Sequence, residues 1–222
     1  MSSEIAASLL SLPPQRRLEG AALAIEAGVD RLHYDLGDGS LGTRCGSIEE
    51  LRDLTRRVSI PIDLHLMARQ PSELIGALSG IAIARLFAHP GSEWSAIDAL
   101  LHDYAERERR AVGLAFTLGE ARAFGRLLFA RPPGEELLAL LVAPGASGAT
   151  PDPAPLPELM RSLRHLDPRP LWIDGGVREE RLERLLADLN GRPVSLVVGS
   201  ALFQGPDPRW VVRTLRERLA AR

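Results

Sequence analysis

Two stretches decide how this chain folds: Arg31-Leu32-His33-Tyr34-Asp35, and Ile62-Asp63-Leu64-His65-Leu66-Met67. Each is a short apolar run of β type that closes on polar side chains. His33 and Asp35 close the first, and His65 closes the second. Residues two apart on a strand share a face, so His33 and Asp35 point the same way. Working outward, similar runs occupy Ile5–Leu9, Ala84–Ala88, Val112–Phe116, Leu137–Val142, Leu171–Ile173 and Ser195–Val198. With Arg31–Tyr34 and Ile62–Leu66 these predict eight strands.

Helix-length segments fill the intervals. Trp94, Ile97, Leu101 and Tyr104 repeat at helical spacing, as do Leu182, Leu185, Leu186 and Leu189. Asp207-Pro208 reads as an N-cap with proline in the first turn, and Ser72-Glu73 after Pro71 reads as another helix start. The 222 residues, shared among eight strand–helix units, give about 28 each, near the unit length of a ~250-residue (β/α)8 barrel. Alternating strands and helices demand a parallel sheet. The expected fold is therefore α/β, a closed (β/α)8 TIM barrel forming a single domain over residues 1–222. An open doubly wound sheet is the alternative. The Pro- and Gly-rich stretch 143–155 reads as a loop after the sixth strand, and Arg131-Pro132-Pro133-Gly134 as a turn before it.

Composition narrows the chemistry. All 27 basic residues are arginine. Schiff-base enzymes need a lysine amine, and a P-loop needs its Gly-Lys pair, so both are excluded. A net charge of −2 gives no reason to expect a nucleic-acid or anionic-membrane partner. The single cysteine, Cys45, forms no intramolecular disulfide and fits a reducing cytoplasm. No apolar run reaches the ~18 residues of a membrane span, and Met1–Ala7 lacks the basic start of a signal peptide.

Asp174 closes the seventh strand, in Trp172-Ile173-Asp174-Gly175-Gly176. The strand ends of a barrel converge on one mouth, where active sites are built. His33, Asp35, His65 and Asp174 together offer mixed nitrogen and oxygen donors, suited to one divalent ion among Zn, Fe, Mn and Co. Each alone has a plainer reading. A lone buried histidine is usually a hydrogen-bonded core residue, and an aspartate after a strand is often a helix cap. The conjunction carries the functional reading. His89 ends the fourth strand, where joining the mouth and forming a turn with Pro90-Gly91 are equal options. His102 and His165 read as helix-surface residues. Cys45 has no base beside it in the sequence and reads as a loop residue rather than a nucleophile. Gly175-Gly176 and Gly199-Ser200 follow the last two strands, where barrels commonly bind phosphate through backbone N–H groups.

In these motifs the chain resembles the ribulose-phosphate 3-epimerase family. Ser8-Leu9-Leu10-Ser11, His33-Tyr34-Asp35-Leu36-Gly37-Asp38-Gly39, Asp63-Leu64-His65-Leu66-Met67, Asp174-Gly175-Gly176-Val177 and Val198-Gly199-Ser200-Ala201 follow its signatures in order. The resemblance implies a cytoplasmic, homo-oligomeric, metal-dependent isomerase of the pentose phosphate pathway, acting on a phosphorylated ketose. It implies His33, Asp35, His65 and Asp174 as metal ligands, with Asp35 and Asp174 also the acid/base pair. Ser8 and Met67 would touch substrate, and Gly145, Gly175, Gly176, Gly199 and Ser200 would line the phosphate site. The family's Gly-His-Phe-Val-Pro-Asn loop is here Gly39-Ser40-Leu41-Gly42-Thr43-Arg44, and its flap Asn-Pro-Gly-Phe-Gly-Gly-Gln is Ala143-Pro144-Gly145-Ala146-Ser147-Gly148-Ala149. Residues 143–155 are therefore expected to form a mobile lid over the sugar that seals and selects less well than the family's flap. Three functions stay open: epimerisation of ribulose 5-phosphate, the same chemistry on another phosphorylated ketose, and a non-catalytic barrel that binds metal and phosphate.

Overall fold

The computed structural model describes residues 3–40, 45–69, 71–89, 94–117, 136–140, 171–188, 194–205 and 207–221, with backbone alone at 94–98, 136–140 and parts of 180–188. Its eight strands are β1 (Ile5–Ser8), β2 (Arg31–Gly37), β3 (Ile62–Met67), β4 (Arg85–Ala88), β5 (Ala111–Thr117), β6 (Glu136–Leu140), β7 (Leu171–Asp174) and β8 (Val194–Val198). Each pairs in parallel with the next, and β8 returns to β1, so the sheet closes into a barrel. The closed alternative is thus the observed one. Helices α1 (Arg17–Ala27), α2 (Ile48–Arg57), α3 (Ser72–Ala77), α4 (Trp94–Glu108), α5 (Glu179–Asp188), α6 (Ser200–Phe203) and α7 (Pro208–Ala220) connect or follow the strands. The stretches expected as a turn at 131–134 and a lid at 143–155 lie outside the described residues.

Alternation along the strands explains the two cores. Outward residues such as Ile5, Leu32, Leu64, Leu86, Ile173 and Leu196 pack under the helices with Leu51, Leu101, Leu182 and Leu215. Inward residues Ala6, Phe87, Ala115, Trp172 and Val197 fill the lumen. Large rings are set against alanines in this layer, the alternation that fills the interior of a small barrel.

Below this layer, at the end where the strands begin, lies a buried ion network. Asp63 receives Arg85 at 2.8 Å and Arg31 at 3.3 Å, and Arg31 also bonds Glu4 at 3.0 Å. The Arg85 guanidinium lies 4.8 Å from the Trp172 ring centre, so the network and the apolar layer support each other.

Local signals place the mouth. β2 runs to Gly37, three residues past its expected end, which carries Asp35 inside the strand. The chain then folds back: the Gly46 amide donates to the Asp35 carbonyl at 2.9 Å, and Leu36 and Gly46 form a parallel bridge. Tyr34, on the outer face, bonds the Ser47 carbonyl and the Glu50 carboxylate, which also receives buried Arg17 at 2.8 Å. A Cβ at Gly46 would meet the Tyr34 hydroxyl, so glycine is required there for close approach. Ser47 caps α2 by accepting the Glu50 amide. Asp207 caps α7 and Pro208 opens it, as the sequence predicts.

Candidate metal and active site

Register brings the polar strand ends together. Asp35 faces His65 across β2 and β3, and Ser8 faces His33 across β1 and β2. His33, Asp35, His65 and Asp174 all offer a donor atom, and these atoms lie within 4.8 Å of one another. His33 Nε2 is 3.5 Å from Asp35 Oδ1 and 3.8 Å from Asp174 Oδ2. His65 Nδ1 is 3.0 Å from Asp35 Oδ1. Three of the four are buried. Only Asp174, at 19% side-chain exposure, meets solvent, which marks the open side of the site.

The electrostatics separate the two carboxyls. Burial lowers the His33 pKa, but the Asp35 carboxylate in contact, with Asp174 and Asp63 beyond it, outweighs burial and raises it to about 9. Burial raises Asp35, yet His33 and His65 prevail and hold it well below the usual carboxylate range. Burial dominates at Asp174, and its pKa is raised. The two carboxyls are thus shifted in opposite directions, the pattern of an acid/base pair.

The cluster fits a divalent cation. Neither ring nitrogen of His33 has a hydrogen-bond partner among the described residues, although the side chain is fully buried. Buried polar atoms seldom stay unmet, and a cation would satisfy Nε2. Donors set about 2.0–2.2 Å from such an ion span at most about 4.4 Å across it, so the observed spread is a slightly opened ligand shell.

The neighbouring residues take the following places. Met67, two residues beyond His65 and on the same face, is buried, with Cys45 Sγ 3.9 Å from its sulfur. Gly175 and Gly176 follow Asp174 with φ of +95° and +64°, a left-handed pair that favours glycine. Gly199 and Ser200 begin α6, and a Cβ at Gly199 would lie 3.5 Å from the Ser8 Cβ. Ser8 and Gly199 therefore adjoin across β1 and β8. Gly145 lies outside the described residues, as does His165. His102 is exposed on α4.

His89 joins the mouth instead of forming only a turn: its Nε2 is 2.9 Å from His65 Nε2. Burial and the His65 charge lower its pKa to about 3. The ion network at the other end went unread in the sequence. Its signal was present, since Arg31, Asp63 and Arg85 each stand two residues before an inward side chain, His33, His65 or Phe87.

Comparisons with known proteins bear on the family and the fold. The sequence model of the ribulose-phosphate 3 epimerase family matches residues 4–203. A protein of Escherichia coli named ribulose-phosphate 3-epimerase is 28% identical over 224 residues, covering 97% of this chain and 96% of its own. Ribulose-phosphate 3-epimerase 1 of Cupriavidus necator is 30% identical over 213 residues, covering 86% and 80%. Among solved structures, 3-hexulose-6-phosphate synthase from Salmonella typhimurium superposes with a TM-score of 0.74 at 14% identity, over 98% of this chain and 99% of that one. Phosphoribosyl anthranilate isomerase from Thermotoga maritima gives 0.68 at 19%, over 99% and 100%. These two likenesses concern the barrel fold alone.

Proposed function

The chain belongs to the ribulose-phosphate 3 epimerase family, and from that membership and the lumen cluster we propose that it epimerises D-ribulose 5-phosphate to D-xylulose 5-phosphate. The observation that carries the reading is the meeting of two histidines and two oppositely tuned aspartates at the one mouth of the barrel. His33, Asp35, His65 and Asp174 would hold one divalent ion of the Zn, Fe, Mn or Co class. Such an ion, when bound, stabilises negative charge developing on substrate oxygens.

The remaining work falls to the chain. The C–H bond next to the ketone breaks, its electrons move onto the carbonyl oxygen, and one carboxylate takes the proton. The opposite carboxyl then returns a proton to the other face of the same carbon, and the ketone re-forms. Asp35 and Asp174 would take these two parts, one on each face of the carbon. Since the pair exchange states in each turnover, the reaction runs both ways. Ser8 and Met67 would touch the sugar. Gly175, Gly176, Gly199 and Ser200, with Gly145, would hold the phosphate through backbone amides. Arg178 lines one cleft with Ser200 and adds a cation nearby. A fixed phosphate positions the reacting carbon between the carboxyls.

The same proposal takes residues 1–222 as one domain working in the cytoplasm as a homo-oligomer. Among the described residues no helix is long and apolar enough to cross a membrane. The altered loops at 39–44 and 143–149 favour testing other phosphorylated ketoses beside ribulose 5-phosphate. The deciding experiment is proton exchange in heavy water with the metal-loaded protein. Deuterium should enter the carbon next to the ketone of ribulose 5-phosphate. Exchange into another ketose phosphate alone would move the reading to that substrate, and exchange into none would overturn it.

A further inference from the structure

We propose that His89 is a positioning residue for the ligand cluster: it occupies Nε2 of His65, so that the Nδ1 lone pair faces Asp35 and the cation. This rests on the metal reading above. His89 lies two residues beyond Phe87, which is the register partner of His65 on the neighbouring strand. It therefore shares the lumen face and stands one step higher. The two rings face each other with centroids 5.0 Å apart and planes 38° apart, and their Nε2 atoms are 2.9 Å apart.

Proton bookkeeping gives this contact its meaning. A neutral imidazole carries one N–H and one lone pair. Without an ion, Asp35 needs a donor, so His65 donates from Nδ1 at 3.0 Å. Its Nε2 then accepts, and His89 donates from Nε2. When a cation takes the Nδ1 lone pair, the proton must leave that atom. His65 then carries its proton on Nε2 and donates to His89, whose own proton moves to Nδ1. An imidazole serves both arrangements at a single atom. An arginine could only donate, and an ionised carboxylate could only accept. Partners of this kind orient a ligating histidine, and their loss typically lowers metal affinity about 10–100-fold.

The test compares cobalt(II) affinity, by chelator competition, in the full-length wild type, His89→Leu and His89→Gln. An amide side chain both donates and accepts, whereas leucine only fills space. The expected result is a loss of about 10–100-fold for His89→Leu and a much smaller one for His89→Gln. Long-range nitrogen-15 spectra of the zinc-loaded wild type, which need no variant to fold, should show His65 bound through Nδ1 and protonated at Nε2. Unchanged affinity in His89→Leu would overturn the proposal. So would equal losses in both folded variants, or a zinc-bound Nε2. A wild-type protein that takes up neither metal would instead overturn the metal reading itself, and this proposal with it.

Discussion

The two ends of the barrel lumen hold similar inventories of charge and use them in opposite ways. At the lower end Asp63 is met by two arginines, and Arg31 by a second acid, Glu4. At the upper end two carboxyls meet histidine side chains, and both nitrogens of His33 are unbonded among the described residues. The same strands, β2 and β3, supply both ends, two residues apart. Arginine does not give up its proton in a protein, so the lower network keeps its two cations, while burial raises the pKa of the Asp63 carboxyl between them. Histidine can be neutral, charged or a ligand, so the upper cluster is open to a cation and to proton traffic. The difference in basic partner separates a plug from a site.

The largest effect should come from the upper end. Asp174→Asn keeps an oxygen donor and removes the proton carrier. With metal content held equal by elemental analysis, deuterium exchange into ribulose 5-phosphate should slow about 10²–10⁴-fold. Near-normal exchange with metal retained would break the two-carboxyl mechanism. At the lower end Arg85→Leu should act on stability instead. It leaves a buried acid with one arginine, and truncating one side of a buried pair costs about 3–5 kcal/mol. Denaturant unfolding of the metal-free protein measures this, while exchange per folded molecule stays unchanged. Asp35→Asn should cost less stability than Arg85→Leu, because His33 can shed its proton once the acid is gone. A larger loss at Asp35 would erase the contrast between the ends.

The eight strands were legible because each is an apolar run bounded by turn residues, and their ends fell within three residues of the expected positions. The largest miss, at β2, has a physical cause. Residues 35–37 lack an apolar run, and the strand continues because residues 45–46 fold back against it. Of the site, the four converging side chains were legible, since each is a polar residue on or just after an apolar run and the barrel does the rest. His89 stayed ambiguous because Pro90-Gly91 gives an equally good turn signal, and only the register of β3 with β4 puts it beside His65. The Glu4–Arg31–Asp63–Arg85 network was missed because single charges within apolar runs look like surface positions until the barrel closes.

Protonation sets the next expectation. In the metal-free protein His33 keeps its proton to about pH 9, while the unfolded chain releases it near 6.5. Between these values the folded state binds more protons, so stability falls as pH rises. The contribution is fully present below pH 6.5 and gone above about 9, and its upper bound is about 3 kcal/mol. Zinc should flatten this slope, because a ligating histidine has already lost the proton. Unfolding curves at pH 6.5, 8 and 9.5 with and without zinc check both statements. A flat metal-free profile would mean that His33 is no more charged than an ordinary histidine. The arginines of the lower network contribute no slope in this window.

The smallest effect should come from the rim of the upper end, at Gly199. Alanine there adds crowding. The new Cβ would sit 3.2 Å from the Ser11 Cβ and Oγ and 3.5 Å from the Ser8 Cβ. Those neighbours must move by a few tenths of an ångström, or the start of α6 must. The carbonyl of Gly199 accepts the amides of Leu202 and Phe203, so α6 shifts with it, and with it the amides proposed to hold phosphate. Since a misplacement of about 1 Å can cost about 10²-fold, a fraction of that should weaken inhibition by inorganic phosphate by about tenfold or less in Gly199→Ala. Cobalt affinity should not change, because none of the four ligand side chains lies on β8 or α6. Gly199→Val, with more bulk at the same point, should extend the phosphate loss and still spare the metal. Equal losses of phosphate and metal would show the corner and the ligand cluster collapsing together. Unchanged phosphate inhibition in both variants would move the phosphate site away from β8.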